Sequence, residues 1–236
     1  MLKYQLVRSA KRKTLGLQVK QGEIIVRAPH FLTEKQIHRF VNEKSAWLLS
    51  KVAQQNSIPT IEPMSFTSGS LIWIGGEKKK LSVTFQSVAQ VINLKDEIKV
   101  ILPLKKRKAD NDVSSAQYLK DAVRKQLEDW FKVEMNRYLT IRLAQLSTKT
   151  QLVPKSFIVK RYKARWGSCN SRGELSFNYL LMMVPSWVID YVIVHELCHL
   201  KHLNHSTAFW RLVTLHDSNV EKAKCWLKTH QSQLVW

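Results

Sequence analysis

Residues 185–205, PSWVIDYVIVHELCHLKHLNH, constrain this chain more than any other stretch. At helical period Trp187, Val188, Ile189, Val192, Ile193, Val194, Leu197 and Leu200 surround the axis with apolar side chains. Pro185 suits the first turn, where its missing N–H removes no hydrogen bond. A helix that is apolar nearly all round is buried. Into it the sequence sets His195, Glu196 and His199, groups that are costly to desolvate without a partner. A metal ion is such a partner.

The spacing is H-E-x-x-H. At about 100° per residue His195 and His199 share a face one turn apart, so two imidazoles can converge on one ion while Glu196 points to the side. Zn²⁺ accepts neutral imidazoles, and a catalytic site needs a third protein ligand and an open position. His202 lies roughly 10 Å beyond His195 along a straight helix, too far to share the ion. His205 is the better choice if the helix ends near Leu203 and Asn204 turns the chain in the left-handed conformation; His216, beside Asp217, is the third candidate. Cys198, between the histidines, reads as a small apolar filler.

A chain of 236 residues with 44% apolar content can build one substantial core or two small ones. No uninterrupted apolar run of about 18 residues occurs, so no membrane span is expected. The start, MLKYQLVRSAKRK, has no apolar core of signal-peptide type, and the expected location is cytoplasmic. Cys169, Cys198 and Cys225 are scattered with no CxxC, against a disulfide framework. The formal charge of +20 comes in clusters at residues 11–13, 78–80, 105–108 and 160–165. Such a field attracts polyanions without sequence preference, and no helix-turn-helix, RNP or zinc-finger pattern is present.

The expected fold class is α+β: a β-rich N-terminal lobe over residues 1–104 and a second domain over 112–236. Tyr4–Arg8, Thr14–Lys20 and Glu23–Arg27 alternate like strands, with a turn at Gln21–Gly22. Thr33 and Gln36 form a capping box opening one helix to about Gln55, with Trp47 in its core face. Residues 56–69 read as a loop. Strands return at Leu71–Ile74, Leu81–Gln86, Val91–Leu94 and Ile98–Leu102, and Pro103–Asp112 reads as a linker. A long amphipathic helix from Ser115 to about Leu146 should lie against the histidine-bearing helix. Next come a strand at Ser156–Tyr162, turn-rich Arg165–Gly173 and a strand at Glu174–Met182. This β unit beside the site offers an edge on which an extended peptide could pair. Ser206 can cap the next helix, whose Phe209 and Trp210 read as packing that fixes His205, and Asp217 or Ser218 can cap the last.

RWGSC at 165–169, VIVHELCHLKHLNHSTAFW at 192–210 and RSAKRKTLGLQV…VRAP within 8–29 together resemble the YgjP-like metal-dependent hydrolases, relatives of zincin peptidases and of SprT-like proteins. The resemblance touches nearly the whole chain. It implies a zincin-like catalytic domain with a β-hairpin at the cleft, one Zn²⁺ on His195, His199 and His205, and Glu196 as the catalytic residue. His202 stands where the metzincin pattern HExxHxxGxxH has its turn glycine. Members look like peptidases, yet some are described as nucleoside triphosphate pyrophosphatases acting on UTP.

The first expectation is therefore a zinc-dependent hydrolase of peptide bonds with Glu196 as general base. Arg165, Arg172, Tyr162 and Asn178, in that order, are candidates for contacts to the transition state or substrate. A UTP pyrophosphatase on the same metal site ranks second, since phosphoryl chemistry usually draws on several carboxylates and only Glu196 is near. A basic, nucleic-acid-associated protein with a structural zinc ranks last, because no fourth ligand accompanies the three histidines.

Overall fold

The structure is a computed structural model and describes residues 2–20, 22–56, 64–104 and 113–234. Two compact units divide the chain, Met1–Ile61 and Glu62–Trp236.

In the first unit, strands β1 (Gln5–Ser9), β2 (Gly16–Lys20) and β3 (Glu23–Pro29) form a sheet of order β1-β3-β2, with β1 parallel and β2 antiparallel to β3. The β2–β3 turn uses Gly22 at φ 79°, a conformation that L side chains rarely adopt. Helix α1 (Glu34–Glu43) opens on the expected capping box: Gln36 N–H donates to Thr33 Oγ1 at 3.3 Å, and Thr33 N–H to Gln36 Oε1 at 2.9 Å. The single helix expected to Gln55 is two, because Lys44 leaves helical geometry (φ −103°, ψ 10°) and α2 (Ser45–Asn56) starts afresh. Leu48 then joins Ile24, Val26, Ile37 and Val41 in the core of this unit. Trp47, expected inside, is 46% exposed, since α2 turns the neighbouring Leu48 inward instead.

The second unit begins with β4 (Leu71–Ile74), β5 (Glu77–Gln86), β6 (Gln90–Asn93) and β7 (Glu97–Pro103), order β4-β5-β7-β6. Then follow α3 (Val113–Thr150), β8 (Ser156–Lys160), β9 (Gly167–Cys169), β10 (Glu174–Asn178), a 3-10 turn at Tyr179–Met183, α4 (Ser186–Cys198), α5 (Thr207–His216) and α6 (Val220–His230). Leu81, Ile98, Val100 and Leu102 of the sheet share one core with Leu127, Phe131 and Leu139 of α3 and Val188, Ile193, Val194 and Leu197 of α4. Each such side chain, fully buried, stabilises by about 1.5–3 kcal/mol. Residues 71–103, which sequence pattern groups with the lobe over 1–104, therefore pack on α3 and α4. From residue 105 on, the expected linker lies outside the described residues.

Two contacts position α4. Gly75 and Gly76, both at positive φ, make the β4–β5 turn and donate to Met182 O and Met183 O at 2.8 and 2.9 Å, immediately before the helix. On α3, Arg142 grips Asp190 with Nε to Oδ1 and a terminal nitrogen to Oδ2, each at 2.7 Å. The long helix thus lies against α4 as expected.

The β unit beside α4 differs from the expected pair of strands. Its order is β8-β10-β9, with β8 parallel and β9 antiparallel to β10, so the hairpin is β9–β10 and its turn is Asn170–Gly173. Strand β9 falls in RWGSC, where turn residues hide a three-residue strand. Tyr179–Met183 is a 3-10 turn rather than strand because Asn178 Oδ1 accepts the Leu180 N–H and turns the chain. Among the described residues no helix is long and apolar enough to cross a membrane.

Candidate metal centre

Helix α4 ends five residues earlier than Leu203. Its C-cap is His199, still near helical dihedrals (φ −66°, ψ −19°), so the one-turn spacing to His195 is kept. The chain then tightens: Leu200 N–H reaches Leu197 O, and the N–H groups of Lys201 and His202 both reach Cys198 O, at 3.0–3.1 Å. Asn204 is not at positive φ, contrary to expectation, and neither is His202. Starting the reversal at residue 199 spreads it over several residues and removes the need for one left-handed position. The segment leads to Ser206, which caps α5 by accepting from Phe209 N–H.

This route brings His205 back over α4. Donor atoms of His195, His199 and His205 lie within 4.8 Å of one another. The Nε2 atoms of His195 and His205 are 3.1 Å apart. Zinc–nitrogen bonds of about 2.0–2.1 Å at tetrahedral angles separate nitrogens by about 3.4 Å, so the cluster fits one ion after contracting by up to about 1.4 Å at its widest. His199 Nδ1 donates to His202 O at 2.9 Å, which leaves Nε2 free to ligate. His202 thus contributes its carbonyl, and His216 sits apart at the end of α5. His195 Nδ1 is buried without a hydrogen-bond partner. Trp210 stacks on His205 at 5.6 Å between centroids and Phe209 meets it edge-on at 4.9 Å, the packing expected of both, while Phe209 also stacks on His199 at 4.4 Å.

Burial favours the neutral form of His195 and His199, the form in which imidazole ligates. It pushes His195 down to about 3, helped by His199, His205 and Lys224. His199 is lowered for the same first reason. Glu196, 5% exposed, is pushed up to about 8 by burial, with Arg165 pulling the other way.

A cleft of about 520 Å³ opens over the cluster. Strand β9 forms one wall, and Gly167 shows why RWGSC carries a glycine. A Cβ there would stand 2.7 Å from both Cγ and Oε1 of Glu196. The carboxyl occupies the space a side chain would take, so the backbone of β9 presses on the Glu196 head group.

Of the four contact candidates, only Arg165 lines the cleft. Tyr162 stands behind it, its hydroxyl 2.6 Å from Oγ of Ser168, a cleft residue. Buried Asn178 holds the frame: Nδ2 donates to Tyr162 O and Arg165 O at 3.2 and 3.0 Å, and its own N–H donates to Trp166 O. Arg172 pairs with Glu174 at 3.1 Å on the hairpin and does not line the cleft. Tyr191, Cys169 and Gly167 were missed as cleft residues. Tyr191 is one turn before His195, a signal the sequence did contain; the other two depended on recognising β9.

Three imidazoles within reach of one ion, beside a buried carboxyl, are the equipment of a metal-dependent hydrolase. The family comparison agrees. The model for the YgjP-like metallopeptidase domain matches residues 13–230, and the chain belongs to that family. No curated protein and no solved structure matches.

Proposed function

We propose that this protein is a zinc-dependent metallopeptidase with a zincin-like catalytic site and Glu196 as its general base. The observation that carries the reading is the convergence of His195, His199 and His205 next to the buried Glu196, under the open edge of β9. Three imidazoles and no thiolate or carboxylate ligand suit zinc and leave a position free. The ion, when bound, supplies Lewis-acid activation of a water and of the scissile carbonyl.

The chain's own residues do the rest. Glu196 takes the proton of the attacking water on a carboxylate oxygen and returns it to the leaving nitrogen. Gly167 confines that carboxylate. The outer edge of β9 offers main-chain groups to an extended substrate, which would bind as a further strand with its scissile bond over the histidines. Tyr191, Val192, Leu203 and Leu227 give the cleft an apolar lining that excludes water.

A UTP pyrophosphatase fits less well, because among the described residues Glu196 is the one carboxylate lining the cleft. The test is hydrolysis of a casein-type substrate and of UTP by zinc-quantified protein, wild type beside Glu196→Gln. The variant should keep its zinc and lose proteolysis by about 10²–10⁴-fold. Proteolysis undiminished in zinc-replete Glu196→Gln would remove Glu196 from the mechanism. Pyrophosphate release without proteolysis would replace the peptidase reading.

A further inference from the structure

Among the described residues the cleft wall carries one Lys or Arg, Arg165, and no acid besides Glu196. That cation, Arg165, ends the run KRYKAR at 160–165, which carries four basic residues and no acidic one. Two of the four are engaged: Arg161 pairs with Glu128 at 3.3 Å, and Lys160 sits 4.9 Å over the Tyr162 ring. Among the described residues the side chains of Lys163 and Arg165 make no hydrogen bond or ion pair. Lys224 of α6, which acts on His195, already pairs with Glu221 at 2.8 Å. The positive charge held in no hydrogen bond or ion pair therefore lies at the Arg165 wall, where it also acts on Glu196.

The backbone under Arg165 is held as a binding residue's should be. Asn178 fixes the carbonyls of Tyr162, Arg165 and Trp166 from a buried position, and Tyr162 is tied to Ser168 on β9. The loop is therefore ordered before any ligand arrives, which reduces the entropy lost on binding. Arg165 itself is exposed, whereas Glu196 and His199 are buried. Its guanidinium is therefore accessible to a ligand in the cleft beside the buried Glu196 and His199. A planar fork of donors in that position matches a carboxylate with two parallel hydrogen bonds.

We infer that the cleft selects acidic polypeptide segments, with Arg165 binding an Asp or Glu carboxylate within a residue or two of the scissile bond. This rests on the peptidase reading and adds a substrate class to it.

The test is a degenerate peptide library digested by zinc-loaded protein, with cut positions read by mass spectrometry for wild type, Arg165→Gln, Arg165→Glu and Glu196→Gln. Thermal melts and zinc content confirm that each variant is folded and loaded. The wild type should show Asp and Glu enriched about tenfold or more near the cut, the scale of one charge-assisted hydrogen-bonded pair. Arg165→Gln should lose the enrichment, and Arg165→Glu should shift it toward Lys and Arg. Wild-type cuts with no acidic enrichment, or an unchanged acidic preference in folded, zinc-loaded Arg165→Gln, would overturn the assignment and leave the peptidase standing. A library without any cut that depends on Glu196 would overturn both.

Discussion

Replacing Gly167 with alanine tests the site at the contact where fold and chemistry meet. The new Cβ would lie 2.7 Å from Cγ and Oε1 of Glu196 and 2.9 Å from Cδ, against an ordinary contact of 3.4–4 Å. At least about 0.7 Å of overlap must be relieved. Glu196 is buried on a helix whose neighbours Leu197 and Cys198 are fully enclosed, so it cannot swing into solvent. Either β9 retreats or the carboxylate is displaced. Overpacking of this kind costs about 1–3 kcal/mol, and a misplacement near 1 Å at a reacting group costs about 10²-fold in rate. Gly167→Ala should therefore bind zinc with unchanged stoichiometry, melt a few degrees lower, and hydrolyse a casein-type peptide about a hundredfold more slowly. Stopped assays on zinc-quantified protein, with calorimetric melts, read all three. Wild-type turnover together with a wild-type melting temperature would refute the argument that β9 confines the carboxylate.

Other perturbations follow from the same geometry. His199→Ala should abolish the zinc-dependent rise in melting temperature, which in the wild type corresponds to about 4 kcal/mol at a thousandfold excess of zinc over Kd; calorimetry with and without chelator measures it. Arg142→Ala should lower stability by about 1–2 kcal/mol, because it leaves Asp190 at the α3–α4 contact with only the Tyr138 hydroxyl, and Arg142→Lys should recover little of it, having no fork; urea unfolding decides. Metal-free protein should also show a defined pH dependence. His195 is depressed from about 6.5 to about 3, so the unfolded chain binds the extra proton and stability falls as pH drops through that window, by about 1.4 kcal/mol per pH unit. Glu196, raised to about 8, acts in the opposite sense, its contribution falling as pH rises from about 4.3 toward 8. The two oppose each other between about 4.3 and 6.5, so metal-free Glu196→Gln should show the steeper acid loss there, and parallel curves for the two proteins would contradict the assignment.

Much of the site was legible in the chain because local rules create it. An apolar helix with HExxH puts two imidazoles and a carboxyl in fixed relation through helical period alone, and the Thr33–Gln36 capping box likewise depends on residues three apart. The break at Lys44 was not legible, since neither proline nor glycine marks it. Nor was β9, whose three residues become a strand by pairing with β10 rather than by any pattern of their own. The turn after His199 was expected at the wrong residue because a tightened helix end has no required residue type.

By itself, then, the sequence determined the two-histidine pair, its buried carboxylate and the α+β character of the chain, since these depend on spacing and polarity along a few turns of backbone. Tertiary structure alone decided the route by which His205, already favoured by the sequence, returns over α4, that β9 lies against Glu196 over Gly167, and that Arg165 lines the cleft while Arg172 does not. Each of those depends on where segments distant in the chain are brought by a shared core, which no local period encodes.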